Sequence, residues 1–264
     1  MSDSKKQSRY AHFHPSEHSF VDQMDDWISK VEERFEDRWT DFLDPRQQYI
    51  LQSLVRRSVD VYLQFDGGHA DAERKRALLR NAVYENKPFE NQVVALQVTS
   101  DDENIRELNH RDYLGSLLGI GIKREKTGDL FLWNRGCDLI VCREMSDYIS
   151  MQLQQVKRVR VMVSPIALQD VHPLYIRTIE QSFSVASLRL DGVVSDIFRM
   201  SRSKIVDPIR AGNCRVNWRV VEDPSHSLEQ GDVISLKGYG KCKIVACDQV
   251  TKKGRIRVTV AIYT

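Results

Sequence analysis

The segment Ser201-Arg202-Ser203-Lys204 is the part of this chain best suited to holding an anion. A serine can accept hydrogen bonds from the orphan N–H groups of a helix that starts behind it, which puts Arg202 and Lys204 in the first turn. Cations there oppose the helix dipole, so their placement needs a separate reason. A phosphate held by the cations and the free N–H groups supplies one. Arg189 precedes this segment, and Arg210, Arg215, Asn217 and Lys237 follow it. Nothing in 187–240 has the make-up of a catalytic centre. The chemistry on offer is phosphate and shape recognition of a folded RNA, with Arg189, Ser201, Arg202, Ser203, Lys204, Arg210, Arg215, Asn217 and Lys237 as candidate contacts. A second short basic stretch, Lys123, Arg124 and Lys126, could hold phosphates or be a solvated charged loop. Trp218 could stack on a splayed base or pack against a neighbouring hairpin.

Other spacings imitate catalytic motifs and fail on detail. His110-Arg111-Asp112 copies the start of a kinase catalytic loop, but the magnesium-binding Asn five positions on falls at Leu117. A helix start explains the triplet better. Gly119-Ile120-Gly121 lacks the Gly-Lys-Ser/Thr of a phosphate loop and reads as a helix end. The histidines are scattered apart from His12, His14 and His18, and none pairs with acids at metal-ligand spacing. Five cysteines include Cys137/Cys142 and Cys242/Cys247, each pair five apart, which is not the spacing of a zinc or redox site. Buried reduced thiols in strands are the expectation, with no metal, no cofactor and no small-molecule substrate.

The elements that must position the basic segment follow from pattern. Asp191 is a candidate N-cap for a helix carrying Val193, Val194, Ile197 and Phe198 at helical spacing. Ser201 caps the next helix, which stops at Gly212. Pro208 falls inside it and removes a hydrogen bond, so the helix should either kink or tighten into a turn that ends near Asp207. Arg215 to Trp218 begin a strand, Pro224-Ser225 turn the chain, and Gly231-Asp232 lead into a strand at 233–236. Lys241–Ala246 and Arg255–Ile262 form a hairpin around Thr251-Lys252-Lys253-Gly254.

Upstream, Phe20, Met24, Trp27, Ile28, Val31, Phe35 and Trp39 share one helical face. Asp44, Pro45 and Gln47 open a second helix with a capping box. Val59–Phe65 is a strand; residues 73–80 have helical propensity, yet the Asp66-Gly67-Gly68 turn after a strand favours a hairpin partner, and both readings stay open. The middle offers a strand at 93–98, a helix at 110–119, strands at 130–133 and 138–142, a helix at 143–154 and a strand at 156–163. That βαββαβ order is the ferredoxin-like arrangement shared by RRM modules, though 135–141 lacks their stacking aromatics. The fold class is α+β and multidomain: a helical/β N-terminal region (1–90), a ferredoxin-like, RRM-like middle domain (91–168), a linker (169–183) and a C-terminal domain (184–264).

The C-terminal pattern resembles the S4 RNA-binding domain. The matching residues are Arg189-Leu190-Asp191, Ser201 to Lys204, Gly212, Val216-Asn217, Pro224-Ser225 and Gly231-Asp232. Trp218 stands where that pattern usually has glycine, which puts its tight turn in question. Residues 41–46, 72–76, 110–116 and 121–129 extend a resemblance to the YlmH-like proteins of bacteria over nearly the whole chain. The resemblance implies a non-enzymatic RNA-binding protein of the large ribosomal subunit, in contact with ribosomal RNA and tRNA and linked to quality control of stalled nascent chains. An association with cell division is a second implication. Arg189-Leu190-Asp191 also resembles the nucleophile motif of some pseudouridine synthases, so an RNA-modifying enzyme is one alternative; a cell-division interaction scaffold is another.

Charge distribution agrees with the basic segment. The net charge of the 264 residues is only +2. Residues 184–264 carry 14 Lys and Arg against 8 Asp and Glu, while the rest of the chain is net acidic, so the electrostatic footprint for nucleic acid is C-terminal. No apolar run approaches the ~20 residues of a membrane span. Met1 to Arg9 lacks a signal-peptide core, and a cytoplasmic protein is expected.

Overall fold

The structure is a computed structural model that describes Tyr10 and residues 13–172, 178–250 and 254–263. His12, the segment Met1 to Arg9 and the turn residues Thr251, Lys252 and Lys253 lie outside the described residues. The chain forms two compact units, Pro15–Tyr175 and Met1–His14 with Ile176–Thr264. Among the described residues no helix is long and apolar enough to cross a membrane.

In the first unit, helix α1 (His18–Arg34) buries Val21, Met24, Ile28 and Val31 on one stripe. It ends earlier than its apolar period suggests. Phe35 turns left-handed (φ 58°), gives its N–H to the Val31 carbonyl and is exposed, and Arg38–Trp39 form a short strand, β1. The reason lies in Asp37, whose carboxylate pairs with the buried Arg80 guanidinium. Helix α2 (Pro45–Val55) starts with the expected capping box: Asp44 accepts from the Gln47 N–H and the Gln47 side chain accepts from the Asp44 N–H, both at 2.9 Å. Strands β2 (Val61–Asp66) and β3 (Arg76–Asn81) pair antiparallel as the hairpin favoured by the turn, and β1 adds to the other side of β3.

The rest of this unit runs β4 (Val93–Thr99), α3 (His110–Gly119), β5 (Thr127–Trp133), β6 (Gly136–Cys142) and α4 (Ser146–Gln152). The strand expected over 156–163 is instead a small hairpin, β7 (Gln155–Val156) and β8 (Val159–Arg160), followed by β9 (Met162–Ile166). Lys157 at φ 51° makes the hairpin turn. The sheet order is β5-β6-β4-β9, every pair antiparallel. Tyr113, Leu117 and Ile149 of the helices pack on the face that presents Leu96, Val98, Leu139 and Val141. Phe42, Leu168 and Val171 cover the opposite face over Val93, Ala95, Phe131 and Ile140. Both faces of this sheet are therefore substantially occupied by the protein itself.

In the second unit, residues 178–183, read from sequence as linker, belong to strand β10 (Thr178–Val185), which pairs along its length with the last strand. Helices α5 (Leu190–Ile197) and α6 (Arg202–Arg210) follow. Next come β11 (Cys214–Val216), β12 (Arg219–Val220), β13 (Val233–Leu236), β14 (Gly240–Val250) and β15 (Ile256–Tyr263). The sheet order is β10-β15-β14-β13-β11-β12. Val193, Val194, Ile205 and Ile209 bury against Cys214, Ile234, Leu236, Cys242, Ile244, Val258 and Val260, so both helices lie on one face of the sheet. All five cysteines sit in strands as free thiols, and four are buried. Burial pushes the Cys142, Cys214 and Cys242 thiols up to about 12.

Candidate nucleic-acid interface

The corner between α5 and α6 is built by three backbone bonds that hold the chain as it enters α5. Leu190 N–H donates to the His226 carbonyl (2.9 Å), Asp191 N–H to that of Pro224 (3.0 Å), and Leu228 N–H to that of Leu188 (2.8 Å). Arg189, not Asp191, is the N-cap residue, and no side chain caps this helix. Asp191 lies at the second helical position, buried, with Oδ1 accepting from the Gly192 N–H at 2.8 Å and both carboxylate oxygens 3.2 Å from the Arg189 guanidinium. Burial disfavours the charged carboxylate. The Arg189 hydrogen bonds, the Gly192 N–H and the charges of Arg189 and Arg202 outweigh it and hold Asp191 below its ordinary value. Arg189 is thus a half-exposed cation already matched to an acid.

Ser201 caps α6 as read from sequence. Its Oγ accepts from the Lys204 N–H at 3.4 Å and lies 3.1 Å from the Ser203 Oγ. Ile205 and Ile209 face the core, so Arg202, Ser203, Lys204 and Arg210 are left exposed. The Arg202 guanidinium reaches back over α5, where a Cβ on Gly192 would stand 2.8 Å from its Nη2. Among the described residues, none of Arg202, Lys204, Arg210, Arg215 or Lys237 has a carboxylate within 4.0 Å. Of the two ways expected to accommodate Pro208, the tighter turn ending near Asp207 does not occur. α6 continues to Arg210, and a Schellman closure follows: Asn213 N–H to the Pro208 carbonyl (3.0 Å), Gly212 N–H to that of Ile209 (3.0 Å), Gly212 at φ 71°.

The remaining candidates separate. Arg215 lies between the inward Cys214 and Val216 and faces away from the helices. Lys237 is exposed in the β13–β14 turn, its N–H bound to the Asn213 carbonyl at 2.9 Å. Asn217 is committed to the fold. Its Nδ2 donates to Asp232 Oδ1 (2.8 Å), its Oδ1 accepts from the Val233 N–H (2.9 Å), and its own N–H reaches the Val233 carbonyl (2.8 Å). One donor and one acceptor of its amide are thus engaged in holding the β11–β13 connection. The tight turn questioned at Trp218 forms all the same, with Asn217 at φ 49° and Trp218 at φ 64°. The Trp218 ring packs towards the neighbouring hairpin: Lys241 Nζ stands 4.7 Å from its centroid and 5.2 Å from that of Tyr263. This cluster was missed in the sequence. Its signal was the alternation Lys241-Cys242-Lys243, which puts two lysines on one strand face.

The second basic stretch is mostly consumed internally. Arg124 Nη1 donates to the Thr127 carbonyl (2.6 Å), the Thr127 Oγ1 (2.7 Å) and the Gly128 carbonyl (3.2 Å), and Arg74 Nε reaches the same Thr127 carbonyl at 3.2 Å. Burial and the charge of Arg74 push Arg124 down to about 10 against the pull of Asp129 and Glu73. Lys126 Nζ pairs with Asp41 (2.6 Å) and Glu144 (3.2 Å). Lys123 alone of the three remains exposed. Asp41, Glu144 and Cys142 have ligand atoms within 4.8 Å of one another, but the Lys126 ammonium already bridges the two carboxylates. Asp112 closes a capping box with Asn109 (3.0 Å) and pairs with Lys157 (2.8 Å), in keeping with a helix-start role.

Two family models match the chain: "YlmH, N-terminal" over residues 16–83 and "Putative RNA-binding domain in YlmH" over 85–170. The "Ribosome-associated protein quality control protein P2" of Bacillus subtilis (strain 168) is 38% identical over 250 residues, covering 95% of this chain and 96% of that protein. This chain belongs to the YlmH family. A solved structure, "Cell division protein ylmH from Streptococcus pneumoniae", is similar with a TM-score of 0.51 at 18% identity, over 62% of this chain and 99% of that one. At that identity the likeness concerns the fold alone.

Proposed function

We propose that this protein is a non-enzymatic, cytoplasmic RNA-binding factor. It docks structured RNA of the large ribosomal subunit, and a tRNA bound there, during quality control of stalled nascent chains. The observation that carries the reading is the pair Arg202 and Lys204: exposed, without an acid in ion-pair range among the described residues, and set in the first turn of a helix. Phosphate groups complement that arrangement, where the dipole and two cations would otherwise oppose one another. The matched RNA-binding model and the printed name of the B. subtilis relative support it.

On this reading α5, α6 and the strands after them are an S4-like module. The strand order β5-β6-β4-β9 supports a ferredoxin-like middle domain. Because both faces of that sheet are covered, RNA contact there falls to exposed loops such as that of Lys123.

Co-sedimentation of the full-length protein with ribosomal fractions, followed by crosslinking to RNA, tests the reading. The protein should travel with the large subunit. Replacing Arg202 and Lys204 by Ala should weaken binding and lower its salt dependence by roughly 0.9 for each phosphate no longer neutralised. Absence of sedimentation, or a double variant with unchanged affinity and salt slope, would sink it. Nucleoside conversion by the purified protein would overturn the non-enzymatic part.

A further inference from the structure

The sheet of the second unit has two faces, and the helices use one. Register fixes what the other presents. Cys214, Leu236, Cys242 and Val260 point into the core, so their neighbours in the strands point out. Cross-strand pairing puts Arg215, Ser235, Lys241 and Tyr263 in one row across β11, β13, β14 and β15. The next row carries Val233, Lys243 and Ala261. Further along β15, Thr259 and Arg257 face the same way, and the 2.9 Å contact between the Thr259 Oγ1 and the Ser182 Oγ of β10 confirms the side. Trp218 joins this face through its contact with Lys241.

The result is a cationic, aromatic surface on the side away from the α5–α6 corner. Arg215, Lys243 and Arg257 are exposed, and none has a carboxylate within 4.0 Å among the described residues. Lys241 and Lys243 are about 7 Å apart along β14, and Arg215 lies about 10 Å across two strand spacings from Lys241. The acid that register places here is Glu180, on the edge strand β10. Asp248 sits in the irregular stretch of β14 between registered pairs. Lys241 lies within cation–π reach of two rings, Trp218 and Tyr263. Cations spaced along a sheet with aromatic rings between them match the backbone and the unstacked bases of a single strand. They do not match the regular groove of a duplex, where bases are hidden from a flat sheet.

We infer that the outward face of this sheet, with Trp218, Arg215, Lys243 and Arg257, is a second nucleic-acid surface that takes a single-stranded RNA segment. The inference rests on the reading that this protein binds RNA, but it concerns a different face and a different form of RNA.

The test uses the full-length protein and a fluorescein-labelled 12-nucleotide oligouridylate, followed by anisotropy across a salt series. Trp218→Gly keeps a residue suited to the left-handed turn and removes the ring; it should weaken binding about tenfold, the size of a missing base–aromatic stack. Lys243→Ala with Arg257→Ala should weaken binding and lower the salt slope by roughly 0.7 per cation removed. Arg202→Ala should leave oligouridylate affinity within about twofold while it impairs co-sedimentation with ribosomal fractions. Thermal melts of each variant verify folding, and Lys243→Arg should restore binding if the lysine acts through charge on this face. No binding of the oligonucleotide by the parent protein would overturn the inference and leave the ribosomal reading to its own test. So would unchanged affinity in both sheet variants, or loss in Arg202→Ala alone. Equal binding of labelled polyglutamate, insensitive to Trp218→Gly, would show a surface for acidic protein instead.

Discussion

The Arg202 guanidinium lies against the backbone of Gly192, so close that a Cβ there would stand 2.8 Å from Nη2. The contact ties the first turn of α6 to the first turn of α5 and brings Arg202 into the field of Asp191 without an ion pair of its own. A glycine inside a helix costs up to roughly 1 kcal/mol relative to alanine, less in the first turn. Its presence in α5 is explained by the room it leaves for the arginine. Gly192→Ala should therefore keep or slightly raise the melting temperature, since the clash is with the mobile end of a side chain. It should also weaken RNA binding to nearly the extent of Arg202→Ala. Paired melting and RNA-binding curves check this; a variant that binds normally would show that the aim of Arg202 does not matter.

Asp191 gives a pH dependence. Its carboxyl is held below the ordinary value in the folded state, so its contribution to stability is fully present above about pH 4, the unfolded value. That contribution is lost as the pH falls through the lower folded value. Asp112 and Asp37, depressed by their pairs with Lys157 and Arg80, act in the same direction. Asp191→Asn should lower stability at pH 7 and make the loss between pH 4 and 2 shallower than in the parent. Denaturant midpoints measured across that range would decide it, and identical acid limbs would remove Asp191 from the account.

What the sequence disclosed depended on how local the cause was. The capping box at Asp44 and Gln47 and the Ser201 cap are written in neighbouring residues, and they stand; the β2–β3 hairpin formed where a Gly-Gly turn favoured it over helical propensity. The end of α1 was hidden because Asp37 answers to Arg80, 43 positions away. The pairing of Lys126 was not legible because Asp41 and Glu144 are remote in sequence. The structural bonds of Asn217 were hidden because its partners, Asp232 and Val233, meet it only once β11 and β13 are paired. Strand β10 looked like linker because its neighbour is the last strand of the chain. Residue types announce charge; which charges remain for a partner is decided by tertiary pairing.

Pro208 sits at the seventh position of α6, and the helix continues for two more residues. Its missing N–H leaves the Lys204 carbonyl without the usual intrahelical donor. Since the helix already runs through this point, alanine can enter without a change of backbone path. Pro208→Ala should restore that bond at the cost of a more flexible unfolded chain, with a net gain of about 1 kcal/mol. The first turn, which carries Arg202 and Lys204, lies upstream, so RNA affinity should not change. Chemical denaturation and a binding isotherm on the same preparation test both parts. A loss of affinity would mean that the proline shapes the corner.

Asn217 separates a structural residue from a binding one. Its side chain spans the start of β13, donating to Asp232 and accepting from Val233, while Asp232 Oδ2 in turn receives the Glu229 N–H at 2.8 Å. The backbone adds a second requirement, because φ is +49° here and +64° at Trp218, a pair that asparagine and glycine adopt most readily. Asn217→Ala removes the amide and leaves the Val233 N–H without its acceptor at a left-handed position. A loss of about 2 kcal/mol is expected from the hydrogen bonds and the backbone together. Asn217→Gly relieves the backbone part and should lose less, and Asn217→Asp keeps the acceptor but sets a second carboxylate beside Asp232. The order of stability should run Asn, then Gly, then Ala, in urea midpoints at neutral pH. Below the temperature where each variant unfolds, affinity for ribosomal RNA should match that of the parent. An alanine variant that is as stable as the parent but binds RNA several-fold more weakly would return Asn217 to the interface.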